Sequence, residues 1–290
     1  MEINKIEELS CEDLSDIDNN AIDLTISSPP YWNAIDYDIH TKGDGYYRTR
    51  KYNLGYNEYL EWVLNIFAQI KEKTKPGGFC AVVIGTVLLK GKHYALPYDF
   101  TTGMVKKGWL FHQNITWYKV TGGVKRAGSF IQHPYPGYFY PNIMTEEILI
   151  FCKQGERIFS GKNIEEKLAN EILLNDYFKK EIANNIWHIA PVPPGHLDHP
   201  CPFPEEIPYR LILLYSYKGD LIFDPFAGSG QTLKVAYHLD RNYLGYDIEE
   251  KYVKYARNRI TEPLKIRDEQ LLAVVKKIKK NIKLKHSNAM

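Results

Sequence analysis

The stretch Phe223-Asp224-Pro225-Phe226-Ala227-Gly228-Ser229-Gly230-Gln231-Thr232 constrains the fold of this chain more than any other. An apolar run, Leu221-Ile222-Phe223, ends in an acid, a proline and a glycine loop, and a helical pattern follows from Thr232. The order reads as strand, tight loop, helix. Glycines let the backbone turn sharply and approach a ligand without a Cβ clash. The helix start presents N–H groups to that ligand. No Lys-Ser/Thr pair follows and the full G-x-G-x-x-G spacing is absent, so the loop is not a phosphate cradle. Its opening acid suits a cationic amine better than a pyrophosphate. A second acid, Asp247, ends the apolar stretch Tyr243-Leu244-Gly245-Tyr246. It lies about 20 residues beyond the glycines, where a doubly wound nucleotide fold places its ribose-hydroxyl acceptor. Alone, Ala-Gly-Ser-Gly is also compatible with a plain strand-to-helix turn.

A second stretch narrows the reading. Ile22-Asp23-Leu24-Thr25-Ile26-Ser27-Ser28 is β-branched and feeds Pro29-Pro30-Tyr31-Trp32. The prolines end the strand and stiffen the turn. Ser28 is then held at a strand end, the proline carbonyls have no regular strand partners, and Tyr31 offers a flat face beside them. Acceptors next to a stacking ring suit an exocyclic amino group on a planar base. A proline-terminated strand with a packing tyrosine is the competing reading of this segment by itself.

Together the two stretches resemble the amino-methyltransferases that use S-adenosylmethionine. Ser28-Pro29-Pro30-Tyr31 looks like their catalytic motif, and Asp224-Pro225-Phe226-Ala227-Gly228-Ser229-Gly230 like their cofactor loop. The catalytic motif comes first and the cofactor loop last, an order similar to the β class of DNA amino-methyltransferases. His199-Pro200-Cys201-Pro202-Phe203-Pro204-Glu205 is similar to the segment that closes over the cofactor's methionine end. The resemblance runs from about residue 20 to about residue 260. It implies an α/β, Rossmann-like methyltransferase fold. Its sheet would be mostly parallel with helices on both faces, with a circularly permuted motif order and a small target-recognition insert. It divides the chain into a catalytic half at 1–153, a target-recognition insert at 154–190, a cofactor-binding half at 191–262 and a basic helical tail at 263–290.

The implied activity is methyl transfer from S-adenosyl-L-methionine to the exocyclic N4 of cytosine in DNA. Transfer is direct and in line, onto a base flipped out of the duplex. Serine at the first motif position favours cytosine N4 over adenine N6, because the adenine enzymes more often carry an acid there. Ser28 Oγ and the Pro29 carbonyl accept the amine N–H bonds, with Pro30 and Tyr31 completing the site and Tyr31, with Trp32, stacking on the base. Asp224 faces the methionine amine, Asp247 the ribose hydroxyls, and Ser229 and Thr232 the methionine carboxylate. Pro225, Phe226, Ala227, Gly228 and Gly230 shape the loop, and His199, Pro202 and Phe203 close over it. RNA or protein amide methylation uses related motifs, but those families place the cofactor loop first. A DNA-binding module without turnover is a further alternative, against which the two intact motifs count.

Composition sets the remaining bounds. The 290 residues carry a net charge of only +2 and 44% hydrophobic residues, so a real core is expected and bulk charge does not announce nucleic acid. Local loops do better. Residues 33–56 interleave tyrosines with Arg48 and Arg50, and residues 119–142 carry Lys125 and Arg126 beside Pro134-Tyr135-Pro136-Gly137-Tyr138. The first reads as a loop that covers a flipped base and holds phosphates, with a solvated lid of packing tyrosines as the competing reading. The second reads either as a DNA-backbone contact or as a rigid proline-rich surface loop. Ile164, Leu168, Ile172, Leu173, Tyr177 and Phe178 fit one helical stripe in the short insert. His188, His196, His199 and Cys201 match no standard zinc spacing, so no metal is expected. Scattered cysteines and the lack of a spanning run or signal peptide favour a cytoplasmic setting without a membrane. The resemblance implies a prokaryotic, nucleoid-associated protein whose partner is double-stranded DNA. The resemblance suggests a homodimer and leaves room for a partner restriction endonuclease in a restriction-modification system.

Overall fold

The computed structural model describes residues 1–32, 54–119, 135–137, 143–193, 197, 202–272 and 274. Eight strands form one sheet. In chain order they are β1 (Lys5–Glu8), β2 (Ile22–Ser27), β3 (Thr74–Ile84), β6 (Leu110–Tyr118), β7 (Thr145–Cys152), β8 (Ile186–His188), β9 (Leu221–Asp224) and β10 (Asn242–Asp247). The short strands β4 (Val87–Leu89) and β5 (Lys92–Tyr94) make a separate hairpin. The spatial order is β1-β10-β9-β2-β3-β7-β6-β8, and only β7 runs against its neighbours. The first strand thus pairs with β10, on the side of the sheet that carries the glycine loop, far from the strands that follow it in sequence.

Period-2 burial shows why both faces are covered. On β3, Cys80, Val82 and Ile84 enter one core while Ala81 and Val83 enter the other. On β7, Leu149 and Phe151 divide from Ile148 and Ile150 in the same way. The first core is closed by helices α1 (Tyr56–Lys73) and α2 (Leu96–Lys106), through Tyr59, Val63, Phe67, Ile70, Phe100 and Met104. The second is closed by α4 (Glu206–Tyr215) and α5 (Gln231–His238), through Ile207, Leu211, Ile212, Val235 and Ala236. A sheet buried on both faces requires these near-continuous apolar strands. Helix α6 (Glu250–Arg259) packs Val253 and Ala256 against Ile6, Ala227 and Leu233. The expected mostly parallel sheet with helices on both faces is what forms.

The insert departs from expectation. The apolar stripe from Ile164 to Phe178 is not one helix. It gives α3 (Ile164–Ala169), with none of its residues buried, and a π-helical turn at Phe178–Ile182. Asparagines break it. Asn163 caps the start by accepting from Glu166 N, and Asn170 Nδ2 donates to the Glu166 carbonyl at the end. Asn170 Oδ1 then accepts from Lys218 N and Arg241 Nη2, which fixes it outside the helix. Side chains that compete with backbone hydrogen bonds favour caps over helix interiors.

The connections from β2 through α1 to β3 and from β9 through α5 to β10 leave in opposite directions. The crevice where they part, at the C-terminal ends of β2 and β9, is a topological switch point, where open α/β sheets bind ligands. The loop there depends on Gly230, whose φ is +75° and whose added Cβ would lie 2.8 Å from Ala256 Cβ. Both the left-handed conformation and the contact with α6 oppose a side chain. Gly230→Ala is expected to destabilise the fold by about 1–3 kcal/mol, read by chemical denaturation.

Candidate active site

The two diagnostic segments meet at that crevice. Ser27 Oγ, at the end of β2, donates to Asp224 Oδ1 at the end of β9 over 2.7 Å, across 197 residues of chain. Thr232 Oγ1 reaches back from α5 to the Ile26 carbonyl at 3.5 Å. Phe226 N–H also donates to Asp224 Oδ1, at 3.1 Å. Asp224 is fully buried, and burial pushes its carboxyl up to about 6 against the lowering effect of the Ser27, Thr232 and Phe226 hydrogen bonds. Desolvation favours the neutral acid. A cation in the crevice would favour the ionised one.

The glycine loop is tied to β10. Ala227 N–H donates to the Tyr246 carbonyl at 2.9 Å, and Gly228 N–H donates to Asp247 Oδ2 at 2.9 Å. Asp247 Oδ1 accepts from Glu249 N at 2.9 Å. The buried acid at the end of β10 therefore ties the glycine loop to the turn that follows its own strand. Gly228 adopts φ +50° and Gly230 φ +75°, so the turn uses the freedom its glycines provide.

Below the loop lies a buried ionic group. Arg259 Nη1 donates to the Ser229 carbonyl at 2.6 Å, and Arg259 Nη2 to Gln231 Oε1 at 2.8 Å. Gln231 Nε2 donates to the Phe203 carbonyl at 3.0 Å, which brings the segment beginning Pro202-Phe203 against the helix that follows the loop. Glu205 Oε1 accepts from Lys234 Nζ at 2.8 Å.

On the other side of the crevice, the Ser28–Tyr31 segment leaves β2. The Pro30 carbonyl accepts from Tyr59 Oη of α1 at 2.9 Å, whereas among the described residues none donates to the Pro29 carbonyl. Tyr31 Oη donates to Glu146 Oε2 at 3.0 Å. Trp32 is turned away from this face. It is 8% exposed, donates from Nε1 to the Leu54 carbonyl at 2.9 Å, and packs edge-on against Tyr56 and Tyr94. Its ring belongs to the first core. Thr232 is likewise wholly buried, and its hydroxyl joins β2 to α5.

The structure brings Ser28, Pro29, Pro30, Tyr31, Asp224 to Gly230, Thr232 and Asp247 to one edge of the sheet, with Pro202 and Phe203 beside it. Arg48, Arg50, Lys125, Arg126, His199, His196 and Cys201 lie outside the described residues. Sequence reasoning did not single out Ser27, Tyr59, Glu146, Arg259 or Lys234. Each acts through a partner distant in sequence, which a local pattern does not display. Among the described residues, no helix is long and apolar enough to cross a membrane.

A doubly wound sheet, a crevice at its switch point and an acid at the end of each of two neighbouring strands define an α/β enzyme of the nucleotide-cofactor kind. Sequence comparison makes the assignment sharper. A DNA methylase family model, the N6/N4 methyltransferase type, matches residues 22–258, and the chain belongs to that family. It is 28% identical over 251 residues to the Type II methyltransferase M.HpaI of Haemophilus parainfluenzae, covering 85% of this chain and 70% of that protein. It is 25% identical over 279 residues to the DNA adenine methyltransferase YhdJ of Escherichia coli, covering 91% and 85%. The fold matches that of a DNA modification methylase from Thermus thermophilus, TTHA0409, complexed with S-adenosyl-L-methionine, with a TM-score of 0.67 at 24% identity and coverage of 88% and 94%.

Proposed function

We propose that this DNA methyltransferase transfers a methyl group from S-adenosyl-L-methionine to the exocyclic N4 of cytosine in double-stranded DNA. The observation that carries the reading is the Ser27–Asp224 hydrogen bond, which sets the Ser28–Tyr31 segment beside the glycine loop. The residues present fit the cofactor. Asp224 is a buried acid whose ionised form a cationic donor favours, and Asp247 is a hydroxyl acceptor one strand away. When bound, S-adenosylmethionine supplies a methyl carbon made electrophilic by its sulfonium.

The harder half of the reaction is the nucleophile. An exocyclic amine shares its lone pair with the ring. Ser28 Oγ and the Pro29 carbonyl accept its two N–H bonds, which favours a pyramidal nitrogen with the lone pair directed at the incoming carbon. With the cofactor bound, the amine would take its methyl group while the thioether leaves with the carbon–sulfur electron pair, and the proton shed by the nitrogen would pass by way of the Ser28 hydroxyl to water. Tyr31 stacks on the extruded base. Catalysis comes from positioning and polarisation.

Serine at position 28 supports cytosine, since a hydroxyl stands where an acid would more strongly polarise an adenine amine. Adenine N6 is the second reading, supported by the similarity to YhdJ. A restriction-modification setting, with a partner endonuclease, is supported by the similarity to M.HpaI, a Type II methyltransferase. The test is mass spectrometry of nucleosides from unmethylated DNA incubated with the protein and labelled cofactor, with RNA and protein substrates run in parallel. N4-methylcytosine is the expected product. N6-methyladenine would move the assignment to the second reading, and label confined to RNA or protein would overturn both. Ser28→Ala is expected to lower kcat by about 10²-fold with little change in cofactor affinity, because the lost hydrogen bond acts on the reacting amine.

A further inference from the structure

We propose that Glu146, held in place by Lys119, is the positioning residue that sets the plane of the Tyr31 ring at the base-accepting edge. The inference rests on the reading of Tyr31 as the ring that meets the target base. Four strand ends carry it. Tyr31 follows β2, Gly85 follows β3, Lys119 follows β6, and Glu146 stands at the start of β7. Because β7 alone runs antiparallel, its beginning lies on the same edge of the sheet as the other three ends.

The contacts run in sequence. Tyr31 Oη donates to Glu146 Oε2 at 3.0 Å. Lys119 Nζ pairs closely with Glu146 Oε1, so the two carboxylate oxygens have different partners. The ammonium also lies 4.6 Å from the centroid of the Trp117 ring. That ring is 3% exposed, and its Nε1 donates to the Ile189 carbonyl at 2.7 Å. The lysine is therefore pinned between an anion and an anchored aromatic face.

Gly85 completes the arrangement. A Cβ added there would stand 3.0 Å from Glu146 Cγ and 3.3 Å from Tyr31 Cε2, so the missing side chain lets the carboxylate and the ring close on one another. A tyrosine at a proline turn still has rotation about χ1 and χ2. A hydrogen bond from its hydroxyl to a fixed carboxylate removes most of that freedom. Core tyrosines also pair their hydroxyls, as Tyr59 does with the Pro30 carbonyl, but a ring that must meet a planar base gains in addition from having its orientation set beforehand by a fixed carboxylate.

The experiment compares Tyr31→Phe, Glu146→Gln and the double variant in full-length protein. The DNA substrate is the one on which the wild type shows activity. Phenylalanine keeps the ring and removes its tether, and glutamine keeps the shape of residue 146 and removes the charge that holds Lys119. Each single variant is expected to lose about tenfold in kcat, with the dissociation constant for S-adenosylmethionine and the melting temperature close to those of the wild type. The double variant is expected to be no slower than the worse single one, because both changes cut the same link. Wild-type kcat in either single variant would overturn the inference. So would losses that multiply in the double variant, or losses that track cofactor affinity or melting temperature. A wild-type protein that methylates no DNA would instead overturn the underlying reading of Tyr31.

Discussion

Asp224→Asn is expected to abolish tight cofactor binding, weakening the dissociation constant for S-adenosylmethionine by about 10²-fold or more while leaving the protein folded. Asparagine keeps an Oδ1 acceptor for Ser27 Oγ and Phe226 N–H, so the link between β2 and β9 survives. What disappears is a buried negative charge, and truncating one member of a buried charge pair typically costs about 2–5 kcal/mol. The pH dependence gives a second signature. Burial raises the Asp224 carboxyl from 3.8 to about 6 in the folded chain. The folded form therefore holds its proton more tightly than the unfolded form. Stability contributed by the neutral acid is fully present below about pH 4 and is lost as pH rises to about 6, for a total of about 3 kcal/mol. Cofactor affinity should move in the opposite direction. A cation selects the ionised carboxylate, so affinity rises with pH up to about 6 and then levels off. Titration calorimetry in buffers of different ionisation enthalpy should show a proton released on binding below that pH. The asparagine variant should show neither the stability trend nor the proton release, and a variant that retained wild-type affinity would remove Asp224 from the cofactor site.

Glu205→Ala is expected to produce the largest loss of stability among single substitutions at this site. Glu205 is 2% exposed, Lys234 is fully buried and Arg259 is 3% exposed. Glu205 Oε1 accepts from Lys234 Nζ at 2.8 Å and from Arg259 Nη2 at 3.5 Å, and Oε2 accepts from Lys265 N at 2.6 Å. Removing the carboxylate leaves the buried Lys234 ammonium with only the half-exposed Glu262 carboxylate, 3.9 Å away, which Arg259 shares. Breaking one side of a buried pair costs about 3–5 kcal/mol, well above the value of an exposed pair. Denaturant unfolding of Glu205→Ala should show that loss. Adding Lys234→Met should recover much of it, because the penalty lies in the lone charge. A loss under about 1 kcal/mol would mean that the ammonium finds another partner. The group also touches the cofactor loop, since Arg259 holds the Ser229 carbonyl. Loosening it should weaken cofactor binding as well.

Much of the fold was legible in local sequence. The apolar run ending in Asp224 gave a strand, and the glycines after it a loop with two positive φ values, because those residues state their backbone geometry themselves. The insert was misread as one helical stripe because apolar spacing is blind to asparagine side chains that cap and interrupt. Trp32 was read with Tyr31 as a stacking residue, yet the chain turns it into the first core against Tyr56 and Tyr94. Both aromatics after the proline turn touch the first core, but Trp32 is buried in it while Tyr31 stays half-buried with its hydroxyl on Glu146, a difference that only packing decides.

What the sequence by itself determined was the identity and order of the two chemical segments, Ser28–Tyr31 and Asp224–Gly230, since both are continuous and each specifies its own turn. What only the tertiary structure decided was how they are joined and aimed. Ser27 reaches Asp224, Glu146 reaches Tyr31 across 115 residues, and Glu205 gathers Lys234 and Arg259. The first two pairings arise because sheet order sets together the ends of strands that are distant in the chain, and the third because the start of α4 meets α5 and α6. A buried hydrogen bond or ion pair of that kind leaves no periodic trace in the residues around it.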